Sequence, residues 1–400
     1  MEYMAKNIPL WQITTWDKNF NNVDKEWQPK TIKYKYLLSD ELDSLRVDDG
    51  DIRILYTGKD VGYTTEELAG DNISEGEVVS IPWGGIPTVK YHKGKFVTGD
   101  NRIATSNDTS KLTNKYLYYY LQGNIGEIAS YYRGASLKHP CMKDVLKMTI
   151  SYPSVQEQEK ICSQFDMLEW LIEARKQELQ LLDDLIKARF VEMFGDPVSN
   201  PKGWDMVELG ELTGIGSSKR IFEKEYVSEG IPFYRTKEIV ELSKGNSIST
   251  ELYITEERFA EIKEQYGVPK AGDLLISAVG TIGIIWIVDG KNDFYFKDGN
   301  LIRVDSSDKF DSVYMKNLLE NLIVEYKKQM SSGTAYAALT ISGLTKMKVY
   351  DVPMELQNQF ADFVRQVDKS KFVERFLELS LFYGLSSPLN SEMICIFPYF

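Results

Sequence analysis

The chain carries two copies of one sequence pattern, and this repeat restricts its fold more than any other feature. Gly99-Asp100-Asn101 returns as Asp298-Gly299-Asn300, and a glycine stands thirty-three residues after each asparagine, at Gly134 and Gly333. A matching series of apolar residues and a proline follows each of these glycines. Because several markers keep both order and spacing, we expect two related structural units rather than chance similarity.

The beginnings of the two copies match less closely. The segment from Tyr56 to Val61 resembles that from Tyr234 to Ile239, whereas Gly76 to Val79 resembles Gly272 to Leu275. The offset between the copies grows from 178 residues at the first pair of segments to 199 at the glycines. The insertions therefore lie inside the units.

Each unit mixes short strand-like and helix-like segments. Glu77–Ile81 and Asp273–Val279 have the continuous apolar character of buried strands. Lys111–Gln122 and Ser312–Met330 have the periodicity of helices. The pattern predicts an α+β fold made of two similar domains, with long helices between and after them.

A heptad pattern follows the first unit. Apolar residues recur in steps of three and four at Ile161, Phe165, Leu168, Ile172, Leu179, Leu182 and Ile186. Pro153 before this segment and Gly195-Asp196-Pro197 after it are start and stop signals. We expect a spacer helix from Val155 to about Phe190, roughly 36 residues and ~54 Å long.

The second unit is followed by a similar but less regular segment, with apolar positions at Phe360, Val364 and Val367. The two helices are predicted to pair as an antiparallel coiled coil, the alternative being a helix buried in the core of one domain. The second pattern weakens after Val373 and meets Gly384. The predicted domains are residues 1–153, the spacer helix 154–195, residues 196–353, a shortened second helix 354–383 and an atypical tail 384–400.

The order of these parts resembles a known family. A Pro-x-x-x-x-Gln helix start follows each domain, at Pro153 and Pro353 (the second shifted by one residue), and Gly195-Asp196-Pro197 with Pro201-Lys202-Gly203-Trp204 links the halves. Over roughly residues 20–375 the chain is similar to the specificity subunit of type I restriction–modification systems. The irregular end of the second helix departs from this pattern.

The resemblance implies two target recognition domains that read the two parts of a split, asymmetric site in double-stranded DNA. The helices would set the separation of the two parts and dock the modification subunits, which carry the adenine methyltransferase. A separate restriction subunit would complete the complex. S-adenosylmethionine, ATP and Mg²⁺ are then expected only in the partner subunits, with no cofactor or metal in this chain.

The amino-acid composition further limits the kind of protein that this chain can be. The net charge of −12 disfavours broad contact with DNA, but residues 1–150 hold 19 Lys and Arg against 20 Asp and Glu, so local basic surfaces remain possible. Three scattered cysteines and two histidines indicate neither a disulfide framework nor a metal centre, and they fit a reducing cytoplasm. The first residues do not resemble a signal peptide, and no apolar stretch is long enough to cross a membrane.

No motif for catalysis is present. Asp196-Pro197-Val198-Ser199 lacks the second proline and the aromatic residue that an adenine methyltransferase uses to hold its flipped base, and it is interpreted as a helix stop. Glycines Gly280 and Gly283, like Gly84-Gly85, are interpreted as turns between strands. We therefore expect a non-catalytic protein. The alternatives are a fragment of a fused restriction–methylation enzyme and a module that binds another protein.

Contacts to DNA require cations and amides near base edges and phosphates. Such candidates, on polar segments that contain glycine, are Lys59, Lys90, Lys93 and Arg102 in the first domain and Lys219, Arg220, Arg235, Lys237 and Lys297 in the second. Gly216–Arg220 is the best single stretch, because small residues permit close approach and two cations follow. The tyrosines of Tyr116–Tyr120 are expected to fill a core rather than to stack on bases.

Overall fold

The computed structural model describes residues 7–18, 23–28, 30–331 and 338–385, the last fourteen of these as backbone. The chain forms two compact units, unit 1 with the described residues up to Arg175 and after Leu377, and unit 2 over Lys176–Leu377. None of the helices in this described part is long and apolar enough to cross a membrane.

In the part of the chain that the structure describes, unit 1 has ten short or medium strands and seven α-helices. The strands are β1 Ile8–Pro9, β2 Thr14–Trp16, β3 Ile52–Leu55, β4 Val61–Thr64, β5 Ser74–Pro82, β6 Lys90–Thr98, β7 Asn101–Ser106, β8 Tyr132–Arg133, β9 His139–Pro140 and β10 Thr149–Ile150. The helices are α1 Leu10–Ile13, α2 Ser39–Leu45, α3 Glu66–Ala69, α4 Asn114–Gly123, α5 Ile125–Ser130, α6 Met142–Lys147 and α7 Val155–Phe194, whose last part belongs to unit 2.

Unit 2 follows a similar order and, among its described residues, has nine strands and six further α-helices. The strands are β11 Met206–Glu208, β12 Ile215–Gly216, β13 Ile231–Tyr234, β14 Tyr253–Ile254, β15 Leu274–Ser277, β16 Ile285–Ile287, β17 Tyr295–Phe296, β18 Leu301–Val304 and β19 Lys348–Tyr350. The helices are α8 Leu209–Leu212, α9 Thr236–Ser243, α10 Glu256–Gln265, α11 Ser312–Ser331, α12 Ile341–Thr345 and α13 Met354–Leu385.

The two units share one sheet topology. The sheet of unit 1 has the order β2-β7-β5-β6-β3-β4, in which only β3 and β6 run parallel. Unit 2 has the orders β12-β18-β15-β16 and β14-β13-β17, with β13 and β17 parallel. Strands β16 and β17 together therefore take the place of the long β6. The mixed sheet and the helices confirm the α+β prediction.

The predicted elements are present with shifted ends. Helix α4 begins at Asn114, three residues after the predicted start, because the Thr113 hydroxyl accepts a hydrogen bond from the backbone N–H of Tyr116 and caps the helix. Tyr116 and Tyr119 of this helix are buried in the core, as expected. Strand β15 is shorter than predicted, and the buried Asp273 before it accepts hydrogen bonds from the backbone of Lys270 and Ser306.

The glycines interpreted as turns lie between paired strands. Gly280 and Gly283, with φ of 73° and 88°, connect β15 to β16. Gly85, with φ of 95°, lies between β5 and β6. These φ values favour glycine, so the turn interpretation is confirmed.

The spacer helix α7 has 40 residues, which corresponds to ~60 Å. In unit 1 its first part packs against the domain core through Ile161, Phe165 and Leu168, and the Phe165 ring lies 4.9 Å from that of Tyr119. These first heptad positions therefore fit the alternative prediction, in which the helix packs into the core of one domain. The positions Ile172 and Leu179 are half-buried.

In unit 2 the last part of α7 pairs with α13. Leu182 and Ile186 share one apolar core with Phe360, Val364 and Val367. The pairing is antiparallel, because Asp183 bonds Lys371 at 2.6 Å whereas Arg189, further along α7, lies over the ring of Phe363, earlier in α13. The predicted antiparallel packing is thus observed here. Helix α13 runs on past Val373 to Leu385, and the tail from residue 386 lies outside the described residues.

The Gly-Asp-Pro and Pro-Lys-Gly-Trp link closes the C-terminus of α7. Gly195 adopts a positive φ of 83°. The Trp204 indole donates to the Phe194 carbonyl at 2.9 Å, and the Lys202 ammonium donates to the carbonyls of Glu192 and Met193 at 2.6 and 3.0 Å. These donors satisfy carbonyls that a helix end leaves without partners. The interpretation of the motif as a helix stop is confirmed.

Candidate nucleic-acid interface

The cations predicted to bind DNA in unit 2 gather at one end of the parallel strand pair β13 and β17. Arg235 and Lys237 follow β13, and Lys297 follows β17. The backbone N–H of Lys297 donates to the carbonyl of Tyr234 at 2.9 Å, so the two strand ends are adjacent. Loops at the carboxyl ends of parallel strands are a frequent place for ligand binding.

The loop Gly216–Arg220 lies against the same end. The backbone N–H of Lys219 donates to the Tyr295 hydroxyl at 2.6 Å, and Arg220 Nε lies 2.7 Å from a carboxylate oxygen of Asp298. The Lys219 ammonium is 5.1 Å from the centre of the Tyr266 ring. Unit 2 therefore brings all five predicted cations to one edge.

These five cations differ in their freedom to bind a ligand. Lys219, Arg220 and Lys237 are exposed. Arg235 is half-buried and bonds the buried Glu238 at 3.1 Å, a hydrogen bond that raises the pKa of Arg235. Arg235 is thus held in place by its own unit, whereas the three exposed cations remain accessible.

Unit 1 places its predicted cations less uniformly. Lys59 is exposed in the loop after β3. Lys90, the first residue of β6, is half-buried and donates a hydrogen bond to the carbonyl of Tyr56. Lys93 is exposed, 3.8 Å from Glu77, and points to the opposite face of β6 from Lys90. Lys59 and Lys90 therefore lie near the carboxyl end of β3, and Lys93 does not belong with them.

Arg102 is a correction to the predicted set. Its side chain is 1% exposed and forms ion pairs with Asp17, at 3.2 Å, and with Asp100. The guanidinium also lies 4.6 Å from the centre of the Trp83 ring. A buried, doubly paired arginine cannot reach a phosphate while the domain is folded. The glycine-containing segment around Arg102 indicated an exposed loop, but the residue lies in β7.

The aspartate of the repeated Gly-Asp-Asn pattern has the same role in both units. Asp100 lies 3.6 Å from Lys18, which follows β2, and Asp298 bonds Arg220, which follows the equivalent strand β12. Each aspartate thus holds a cation from the loop after the first strand of its sheet. Lys18 was missing from the predicted set because nothing in the repeat aligned it with Arg220.

Exposed apolar side chains lie on the outer surface of α7. In unit 1 these are Met167 and Trp170, the latter 68% exposed. In unit 2 they are Leu181, Leu185 and Val191. Large apolar side chains grouped on an exposed helix are typical of a surface that binds another protein.

No catalytic arrangement was found in the described residues. An open depression of about 440 Å³ in unit 1 is lined by charged groups, but Lys115 bonds Asp166 at 2.7 Å and Tyr91 bonds Glu77 at 2.8 Å. Burial raises the pKa of Cys162, at the same depression, to about 11, so its thiol stays protonated. Within those residues, no group of three or more His, Cys, Asp or Glu side chains could hold a metal ion.

The chain has two domains of one topology, and each displays cations at an edge. A helix with exposed apolar residues joins the two domains. These features define a protein of the binding class with an internal repeat. The chain matches the model of the type I restriction modification DNA specificity domain twice, over residues 32–183 and 201–375. The chain therefore belongs to this family.

Individual relatives agree with the family. The chain is 28% identical over 299 residues to a type I restriction enzyme specificity subunit of Haemophilus influenzae, covering 72% of this chain and 74% of that protein. It is 21% identical over 340 residues to a specificity subunit of Methanocaldococcus jannaschii, covering 79% and 77%. The crystal structure of a type I restriction–modification S subunit from M. genitalium superposes with a TM-score of 0.58 at 16% identity, covering 100% and 98%, and so has the same fold.

Proposed function

We propose that this chain is the sequence-specific DNA-recognition subunit of a type I restriction–modification complex. Unit 1 reads one part of a bipartite target in double-stranded DNA, and unit 2 reads the other. The observation that carries this proposal is that both units have one strand order and place cations at the carboxyl end of their parallel strand pair. Those cations differ between the units, so the two parts of the target differ in sequence.

The chain contributes binding and no chemistry. Its candidate interface offers guanidinium and ammonium groups, which bind phosphates and guanine edges. Adenine methylation, with S-adenosylmethionine, is supplied by modification subunits. ATP-dependent and Mg²⁺-dependent steps belong to a restriction subunit.

The modification subunits dock on the spacer helices. The exposed apolar side chains of α7, above all Trp170, support this assignment. Burial of a solvent-exposed aromatic side chain by a partner contributes favourable free energy to binding.

Adenine methylation across the genome tests the proposal. Cells that carry this chain together with its neighbouring modification subunit are compared by methylation sequencing with cells that lack only this chain. A new split, asymmetric methylated motif is expected. If the two methylation maps agree while both proteins are present, the proposed function is wrong.

A further inference from the structure

Three basic side chains of unit 1 share one face of its sheet. Arg53 of β3 stands opposite Phe96 of β6 and Tyr63 of β4. Lys90 and His92 lie an even number of residues before Phe96 on the same strand, and alternate residues of a strand point to the same face. Arg53, Lys90 and His92 therefore point to the same side, and all three are half-buried.

The fold brings Arg53 within electrostatic reach of both Lys90 and His92. The ammonium of Lys90 donates to the carbonyl of Tyr56, three residues from Arg53. Burial first, and the charge of Arg53 second, lower the pKa of Lys90 to about 8. Burial also lowers the pKa of His92, and Arg53 adds to this effect.

In the part of the chain that the structure describes, no acid neutralises Arg53 or Lys90. Among the described residues, neither Arg53 nor Lys90 has a carboxylate at ion-pair distance, and Asp60 acts on Lys90 only from further away. Arg53 donates instead to the neutral Tyr63 hydroxyl at 2.9 Å. Lys95, on the opposite face of β6, shows the contrast, because it pairs with Glu66 at 3.1 Å.

A buried hydroxyl in the same place also lacks a partner. Ser80 stands directly opposite Lys90 in the β5–β6 register and so points to the same face. It is 2% exposed, and its hydroxyl has no hydrogen-bond partner in the described part of the chain. A buried polar group without a partner costs free energy.

We propose that Arg53 and Lys90, beside His92, form a site for a phosphate group of the DNA backbone. The site rests on the proposed function and adds to it Arg53, a contact that does not lie in a glycine-containing loop. His92 is not a ligand of the phosphate, because its Nε2 already bonds the carbonyl of Lys95 at 2.9 Å. A phosphodiester oxygen accepts charge-assisted hydrogen bonds from a guanidinium and an ammonium, and its negative charge offsets their mutual repulsion. Such a contact positions the duplex and carries no sequence preference.

The test uses the assembled methyltransferase complex and fluorescence anisotropy with a duplex that carries the methylated target, at several salt concentrations. For R53Q and for K90Q we expect binding to weaken roughly tenfold and the slope of log K against log salt to fall by about 0.9. The ratio of affinity for target and random duplex should stay unchanged. R53K, which keeps the charge, should restore most of the affinity.

The matched control is K95Q, which removes one charge from the other face of the same strand and should leave affinity and slope unchanged. If R53Q and K90Q bind the target as the unmodified complex does, with the same salt slope, the phosphate site is wrong while the proposed function stands. An equal loss of affinity and salt slope in K95Q would also overturn the phosphate site, because the effect would then not depend on which face of the strand carries the lysine. If the unmodified complex binds no duplex, both proposals fail.

Discussion

Gln158 and Gln357 occupy the same place in the two units and hold the start of each long helix to its domain. The Gln158 amide accepts from the backbone N–H of Thr113 at 2.9 Å and donates to the carbonyls of Lys111, at 2.6 Å, and Pro153, at 2.9 Å. The Gln357 amide accepts from the N–H of Asp311 at 3.0 Å and donates to the carbonyl of Val352 at 2.9 Å. This explains the glutamine of the repeated Pro-x-x-x-x-Gln pattern.

Replacement of either glutamine by alanine should destabilise its own unit. Both side chains are buried, so Q158A and Q357A each leave backbone groups without partners, at a cost of about 1–3 kcal/mol in free energy of unfolding. Urea unfolding, followed by hydrogen exchange in each unit, measures the loss. The control Q164A, at an exposed position of α7, should change stability by less than about 0.5 kcal/mol. A loss spread equally over both units would contradict the assigned contacts.

The loop that carries Lys219 and Arg220 should affect one half of the target. The double variant K219A/R220A removes two exposed cations from unit 2, and we expect binding to fall roughly 10- to 100-fold. Methylation sequencing should then show relaxed preference in the half-site read by unit 2, with the other half-site intact. The comparison variant K187A, on α7, should change neither. Relaxation of the half-site read by unit 1 would contradict the assignment.

Trp170 should contribute to assembly rather than to DNA reading. W170A removes an exposed aromatic anchor, and we expect the affinity for the modification subunit to fall by about 2 kcal/mol, roughly 30-fold in Kd. Analytical ultracentrifugation or calorimetry measures the change. L38A, at an exposed leucine away from α7, serves as the control. Unchanged affinity in W170A would remove this part of α7 from the docking surface.

The length of α7 should set the gap in the target. Deletion of residues 172–178 removes one heptad, shortens the helix by ~10 Å and preserves its faces, because seven residues make nearly two turns. We expect the methylated motif to keep both half-sites with a gap shorter by about three base pairs. Methylation sequencing of the deletion variant gives the answer directly. Altered half-sites with an unchanged gap would refute the spacer role.

Asp17 should make the stability of unit 1 depend on pH. Burial raises the pKa of Asp17 to about 6, against the smaller opposing effect of Arg102, so the folded chain binds this proton more tightly than the unfolded chain does. The contribution of Asp17 is therefore fully present below pH ~4 and is lost as the pH rises to about 6. In urea unfolding, stability of the unmodified chain relative to D17N should fall across this range. A constant difference would show that Asp17 does not titrate there.

The repeat allowed much of the fold to be predicted. Markers such as Asn101 and Asn300 lie at the starts of equivalent strands, Asn101 as the first residue of β7 and Asn300 directly before β18. The helix stop at Gly195 was evident because glycine, aspartate and proline each end a helix for a separate reason. The joint role of β16 and β17 was not predictable, because pairing between strands distant in sequence leaves no local pattern.

The candidate site was only partly predictable for a similar reason. Exposed cations such as Lys219, in a loop, and Lys237, at the start of α9, were identified from polar composition alone. Arg102 was misplaced because Asp17, the more distant of its two acidic partners in the sequence, becomes its neighbour only in the folded sheet. Arg53 was missed because it stands inside a strand of apolar residues, where composition indicates a core.

In unit 1 the single strand β6 pairs with both β5 and β3. In unit 2 two strands share these pairings, because β16 pairs with β15 and β17 pairs with β13, and the strand order stays the same. The scaffold thus tolerates an interruption next to the edge where the cations are displayed. Sequence changes in the loops of one unit, and even the interruption of a strand, could therefore give a new DNA target. The other unit, the helices and the partner subunits would not need to change.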